Sequence, residues 1–222
     1  TPLAQTTPTL EQMLKGAERL VKEQRLDEAV QSYKSIFGKH PKSAVALYQI
    51  GWIYNEQNKY DTAARWLKQA AELSPNDPAV HVELGFALYK LKNIEGSLAA
   101  YQKASQLKPD LQGAWVGLGD LNFELKKDYK AAAEAYSKAT QLGVEEAPVH
   151  YRLGWCYNEL KRFKEAEPSL KKAVQLEDKA AAAWLEWGYS LLRTQRPEEA
   201  VQALTRATVL EPKQPLGHLY LG

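Results

Sequence analysis

The sequence predicts an all-α chain in which antiparallel helix pairs stack side by side as an α-solenoid. Three observations carry this. Landmark residues recur at one period along nearly the whole chain. Each period holds two stretches whose apolar residues fall at the i, i+3, i+4 and i+7 spacing of a helical face. The stretches are joined by short polar links suited to helical hairpins. One such hairpin cannot bury both faces of its helices, so neighbours must stack.

The period is set by a small residue: Ala17, Gly51, Gly85, Gly119, Gly154, Gly188 and Gly222, at steps of 34, 34, 34, 35, 34 and 34. A second small residue follows in each unit (Ala29, Ala63, Ser97, Ala132, Ala166, Ala200), then a large one (Tyr33, Leu67, Tyr101, Tyr136, Leu170, Leu204). Pro41, Pro75, Pro109 and Pro212 close four of the units.

Taken in order, residues 1–9 are Pro/Thr-rich and aperiodic, and read as a disordered tail or linker. Repeats are expected to start at Leu10, Ala44, Pro78, Gln112, Ala147 and Ala181, with a partial one from Pro215, so the array spans 10–222. In the second repeat Leu47, Ile50, Gly51 and Tyr54 form one stripe, and Ala63, Leu67, Ala70 and Ala71 the other. Gly51 and Ala63 are small because their helices approach closely there. Gln57-Asn58-Lys59 links the pair. Asp77-Pro78 offers an N-cap followed by proline at the first helical position. The fourth repeat has one extra residue, assigned to the turn Lys126-Lys127-Asp128, where it should shift that turn only. Pro168 falls inside a second helix; it should bend that helix, or the helix starts one turn later. The chain begins without Met and ends at Gly222 inside a predicted helix, so it is expected to be part of a longer protein.

Composition narrows the function. Among 222 residues, 29 are basic and 27 acidic, a net charge of +2, which argues against a nucleic-acid binder or a polybasic membrane-surface protein. No apolar run is long enough to span a membrane. The single Cys156 excludes an internal disulfide framework, reads as a buried structural thiol, and leaves cytoplasm and periplasm both open. Six Trp beside 12 Tyr and 4 Phe is a heavy aromatic load.

These landmarks resemble the tetratricopeptide repeat (TPR), whose signature is W-x2-L-G-x2-Y, then A-x3-F, then P in 34 residues. Trp115-x2-Leu118-Gly119 is the best first half, and Tyr54 and Tyr157 the best third landmarks. The resemblance covers residues 10–222. It implies a right-handed superhelix whose first helices line a concave groove. It also implies binding of a protein or peptide partner without catalysis or cofactor.

No catalytic pattern competes with that reading. A Gly-rich phosphate loop, an H-E-x-x-H and a G-x-S-x-G are all absent from the sequence. His81, His150 and His218 alternate with Trp115 and Trp184 at the fourth position of the repeat. They lie two repeats apart, too far to share a metal whose bonds are ~2 Å, and read as a packed ring slot.

In the resembled family, first-helix positions 2, 5, 6, 9, 12 and 13 face the groove. Mapped here, they give Tyr48, Trp52, Asn55, Phe86, Tyr89, Phe123, Tyr151, Arg152, Trp155, Asn158, Tyr189 and Arg193 as the candidate partner-binding set. Position 9 is the sharpest signal, because Trp52, Phe86, Trp155 and Tyr189 occupy a place usually small and polar. Large aromatics on an exposed face favour partner recognition; the alternative is that they pack on the neighbouring repeat. Gly51-Trp52-x-Tyr54-Asn55-Glu56 is echoed by Gly154-Trp155-x-Tyr157-Asn158-Glu159, and both Asn amides could bond a ligand backbone. Lys90, Glu83 and Glu186 would add charge selectivity. Trp115, Trp184 and Trp187 read as core, and Trp66 as a seam between repeats. The clamp by which some members of the family hold a chaperone's C-terminal carboxylate is not matched, since its Lys, Asn and Arg positions are Leu14, Glu18, Gln49, Ala79 and Glu83.

The expected function is therefore a non-enzymatic scaffold or adaptor of bacterial style, binding a peptide segment in the groove. Two alternatives are a recruiting domain of a larger enzyme or assembly complex, and a self-assembling scaffold joined through the apolar Leu216, Leu219 and Tyr220 of the truncated end. Neither nucleic acid nor membrane insertion is expected.

Overall fold

A computed structural model of the chain describes residues 8–213. The first seven residues of the expected tail and the partial repeat from Pro215, with His218 and the end face of Leu216, Leu219 and Tyr220, lie outside the described residues. The described part is helical, with no strand. It comprises twelve α-helices: α1 (Leu10–Lys22), α2 (Leu26–Lys39), α3 (Ala44–Glu56), α4 (Tyr60–Leu73), α5 (Pro78–Lys90), α6 (Ile94–Leu107), α7 (Gln112–Asp120), α8 (Tyr129–Gln141), α9 (Ala147–Glu159), α10 (Phe163–Leu176), α11 (Ala181–Arg193) and α12 (Pro197–Leu210). They form an all-α solenoid of antiparallel pairs. None is long and apolar enough to cross a membrane.

The chain divides into two compact units, Thr1–Pro109 and Asp110–Gly222. In the first, each helix from α1 to α6 packs on the next, and α3 also lies against α5. In the second, α7 to α12 repeat the arrangement, with α9 against α11.

Local chemistry sets the helix ends. Thr9, assigned to the tail by its composition, is instead the N-cap of α1, in a capping box with Gln12. Ser43, Asp77, Asn93 and Asp128 cap α3, α5, α6 and α8 through side-chain oxygens. Within each pair the turn passes through one left-handed residue: Gln24, Asn58, Lys92, Lys127, Lys161 and Gln195, with φ between 54° and 62°. None is glycine, so the hairpin holds these residues in a conformation that costs roughly 1–2 kcal/mol for an L-residue.

The extra residue of the fourth repeat is not in its turn. The left-handed Lys127 and the N-cap Asp128 keep the turn geometry of the other repeats. The insertion is taken up in the helix, where α7 continues as a π-helical segment, Leu121–Lys126. Such a segment leaves carbonyls off the i→i−4 ladder, and Asn122 Nδ2 donates to the Leu118 carbonyl at 2.8 Å. In the fifth repeat, α10 runs from Phe163 through Pro168 with the same 14 residues as α4, α6 and α12, so it does not start late.

The core is the small-against-large contact inside each pair. A Cβ at Gly119 would stand 2.4 Å from Tyr136 Cε1, and one at Gly154 would stand 2.4 Å from Leu170 Cγ. Tyr136 and Leu170 are fully buried, and each buried side chain of this kind contributes about 1.5–3 kcal/mol. Polar ties join neighbouring repeats. Arg152 on α9 donates to Asp120 at 2.6 Å and to Glu124 at 2.7 Å, and the Tyr136 hydroxyl donates to the same Asp120 oxygen at 2.7 Å.

Two sets of variants test this packing by thermal and urea unfolding. Gly119→Ala should destabilise by about 1–3 kcal/mol, because overpacking against a fixed ring outweighs the helix-propensity gain. Gly16→Ala, with open space around it, should gain up to about 1 kcal/mol. Arg152→Met should cost about 2 kcal/mol, less than a fully buried pair because its charges keep some water. Arg193→Met, on the surface, should stay within about 0.5 kcal/mol of the parent.

Candidate functional site

The helical period places residues 48, 52, 55 and 56 on one face of α3, and residues 151, 155, 158 and 159 on one face of α9. The position-9 aromatics on this face are half-buried. Each of three packs on its neighbour: Phe86 edge-on to Tyr60 at 5.9 Å, Tyr189 to Phe163 at 5.7 Å, and Trp155 to Phe123 at 4.9 Å. Trp155 also meets Tyr151 at 5.7 Å. Trp52 packs against the apolar core of the first repeat. These rings therefore close the seam between repeats and keep part of their surface for solvent. Cations flank them. Lys90 Nζ stands 5.3 Å from the Phe86 ring centroid and 5.4 Å from that of Tyr89, and the Arg193 guanidinium stands 5.2 Å from that of Phe163.

Five of the expected partner contacts are committed elsewhere. Asn55 and Asn158 are buried, and their amides bind not a ligand but the next first helix. Asn55 Nδ2 donates to the Glu83 carbonyl at 3.1 Å and to its carboxylate at 2.8 Å; Asn158 Nδ2 repeats this on Glu186 at 3.0 and 2.9 Å. Arg152 is engaged by Asp120 and Glu124. Phe123 is buried with Tyr129, Tyr136 and Trp155. The π-helical segment is the cause: it sets Phe123 four residues before the left-handed Lys127, the place that the core tyrosines Tyr54 and Tyr157 hold before Asn58 and Lys161. Tyr89 is buried at 8% exposure. The Asn-to-Glu ties have no signature along the chain that reveals them in advance, although both span the same 28 residues.

Electrostatics single out the two glutamates. Burial pushes the Glu83 and Glu186 carboxyls above the ordinary range, against the stabilising bond from each Asn, and Glu56 and Glu159 add to the rise. Burial, then the neighbouring Glu83 or Glu186 charge, pushes Tyr48 and Tyr151 up to about 12. The amide oxygens of Asn55 and Asn158 are buried with no hydrogen-bond donor.

The ring slot has a structural account. His81 Nε2 lies 2.8 Å from the Pro75 carbonyl, and Trp184 Nε1 donates to the Asp178 carbonyl at 2.8 Å, each six residues back. At these two positions a ring nitrogen ties down the loop entering the helix, whereas both ring nitrogens of His150 are buried without a hydrogen-bond partner. Trp184 also stacks obliquely on Trp187 at 5.3 Å, and Trp66 meets Phe37 of the preceding repeat edge-on at 6.3 Å. Cys156 is fully buried, and burial pushes its thiol up to about 12, out of nucleophile range. Among the described residues no group of three His, Cys, Asp or Glu side chains is placed to hold a metal ion. An open cleft of about 490 Å³ at the turns, lined by Lys161, Arg162, Phe163, Glu165, Arg193 and Gln195, lies away from the aromatic face of α9, and its Arg162 is paired with Glu165.

Comparison with known proteins gives consistent results. Models of the tetratricopeptide repeat match residues 78–111 and 147–179, and a TPR repeat model matches residues 51–92. A TPR repeat-containing protein of Synechococcus elongatus is 31% identical over 143 residues, which cover 60% of this chain and 36% of that protein. The protein O-mannosyl-transferase TMTC1 of Homo sapiens is 33% identical over 94 residues, 40% of this chain and 10% of that protein. The chain thus spans about a third and a tenth of these relatives. Among solved structures, PilF of Pseudomonas aeruginosa superposes with a TM-score of 0.77 at 16% identity, covering 95% of this chain and 96% of that one. YrrB, described as a TPR protein with an unusual peptide-binding site, superposes at 0.76 with 15% identity, covering 86% and 97%. At these identities the likeness shows the fold alone. Sequence models and fold agree that the chain belongs to the tetratricopeptide repeat family.

Proposed function

We propose that the protein is a binding scaffold that holds a peptide segment of a partner protein along the face of its first helices, without catalysing a reaction. The observation that carries this is the pair of partly exposed aromatic faces, Tyr48 with Trp52 and Tyr151 with Trp155, with a further partly exposed aromatic, Phe86 or Tyr189, at the ninth position of the next first helix. Large amphipathic rings that keep part of their surface in water are the residue types that dominate binding energy at interfaces. The peptide-binding site ascribed to YrrB, on the same fold, favours the same reading. The O-mannosyl-transferase relatives favour a second one, in which this array serves as the recruiting part of a larger protein.

Affinity capture with subsequent mass spectrometry tests the scaffold. Trp52→Leu together with Trp155→Leu keeps the seams apolar and removes the indoles. Recovery of specific partners should fall at least tenfold while the melting temperature moves by only a few degrees. Val201→Ser, on the exposed side of α12, should leave recovery unchanged. Equal recovery by the Trp variant and the parent would sink the reading.

A further inference from the structure

We propose that each unit carries a receptor for one cationic side chain, a lysine or arginine of the bound segment, formed by Glu83, Tyr48 and Trp52 in the first unit and by Glu186, Tyr151 and Trp155 in the second, with Asn55 and Asn158 holding the two carboxylates in place. This rests on the peptide-binding reading above and specifies the chemistry of the occupant.

The first support is the repetition of a complete set. Tyr48 and Tyr151, Trp52 and Trp155, Asn55 and Asn158, Glu56 and Glu159, and Glu83 and Glu186 are all separated by the same 103 residues. The Asn-to-Glu hydrogen bonds recur with them, within 0.1 Å.

The second is an imbalance of donors and acceptors. Asn55 is 3% and Asn158 4% exposed, and the amide oxygen of each has no donor. The amide nitrogen beside it is fastened to a carboxylate that is only partly covered. Neither carboxylate has a cation among the charges acting on it; the charge that does act is another carboxylate, Glu56 or Glu159. Arg152, next to Tyr151 in the chain, is consumed by Asp120 and Glu124. Each site therefore presents a carboxylate with no opposing cation, while the amide oxygen behind it stays buried. An ammonium supplies three donors and a guanidinium five, with no acceptor to leave unpaired.

The third is the aromatic wall. Tyr and Trp stand four residues apart on the face that carries the Asn, and such rings attract a cation through their π-faces. Trp155 Nε1 donates to Glu159 at 3.3 Å, which ties the indole to the acidic rim. An acidic segment would meet like charge, and a neutral one would leave the carboxylate without a counter-charge, so the site selects by repulsion as well as attraction.

A purely structural role for the carboxylates predicts the opposite of what a receptor predicts. A carboxyl whose folded pKa exceeds its unfolded one weakens the fold once the pH is high enough to ionise it. A site kept for binding holds that cost, and a neutral isostere removes it.

Random dodecapeptides displayed on phage, selected on the intact protein, supply the probe. Selected clones should be enriched in Lys and Arg. Synthetic peptides from them should lose at least tenfold in affinity on Glu83→Gln or Glu186→Gln, and more on the double variant. Those variants should melt at or above the parent temperature at pH 7. Replacing the peptide's basic residue by norleucine or citrulline should cause the same loss. Clones without basic enrichment, or with unchanged affinity for both Gln variants, overturn the cation receptor and leave peptide binding standing. A selection that enriches no clone overturns the receptor and removes support from the peptide reading; the Trp variants in partner capture then decide that reading separately. Gln variants that melt well below the parent assign the carboxylates to structure and overturn the receptor.

Discussion

The close approach of the two helices in each pair is the constraint on which the other features depend. Where a glycine faces Leu67, Tyr101, Tyr136, Leu170 or Leu204, a single added carbon would enter that side chain. Because the helices cannot separate, the turn between them is short and passes through a left-handed residue. Because each pair is thin, its remaining apolar surface must be covered by the next pair, and the seams between pairs become the second level of the core. Burial at these seams outweighs their polar bonds, which contribute about 1 kcal/mol each. The polar bonds fix which face of one pair meets the next.

That division explains what the aromatic load does. Trp184 and His81 tether loops, Trp66 closes a seam, and Trp52 and Trp155 do part of that work while presenting an edge outward. A residue that packs and recognises at once is held rigid before a partner arrives, which lowers the entropy lost on binding. The acidic Glu83 and Glu186 sit at the same junctions, where the amide of the preceding repeat positions them.

The fold is legible in the sequence because its signal is repeated: one small residue per period, one facing large residue, and a hydrophobic stripe on each helix. The candidate face is legible only to the level of helix position. Asn55 and Asn158 occupy groove positions by count, yet their amides turn to the adjacent helix, because a carbonyl and a carboxylate 28 residues on lie within reach. Arg152 counts as a partner contact by position, since nothing along the chain reveals that Asp120 and Glu124 converge on it from another helix. Phe123 falls on the wrong face by count for a subtler reason. Counting residues presumes a constant angle per residue, and one extra residue breaks that presumption.

The π-helical segment therefore bears on how relatives of this chain are read. A residue inserted in a loop leaves every helical position facing where it did. One absorbed inside a helix rotates the residues beyond it by about 100° until the turn restores the register. An alignment that puts the gap between Lys126 and Asp128 would pair residues 122–126 with neighbours on a different face. Conservation scores computed that way would blur core and surface in this one repeat. Moving the gap into Leu121–Lys126 aligns Phe123 with Tyr54 and Tyr157, which pack partly buried on the same side.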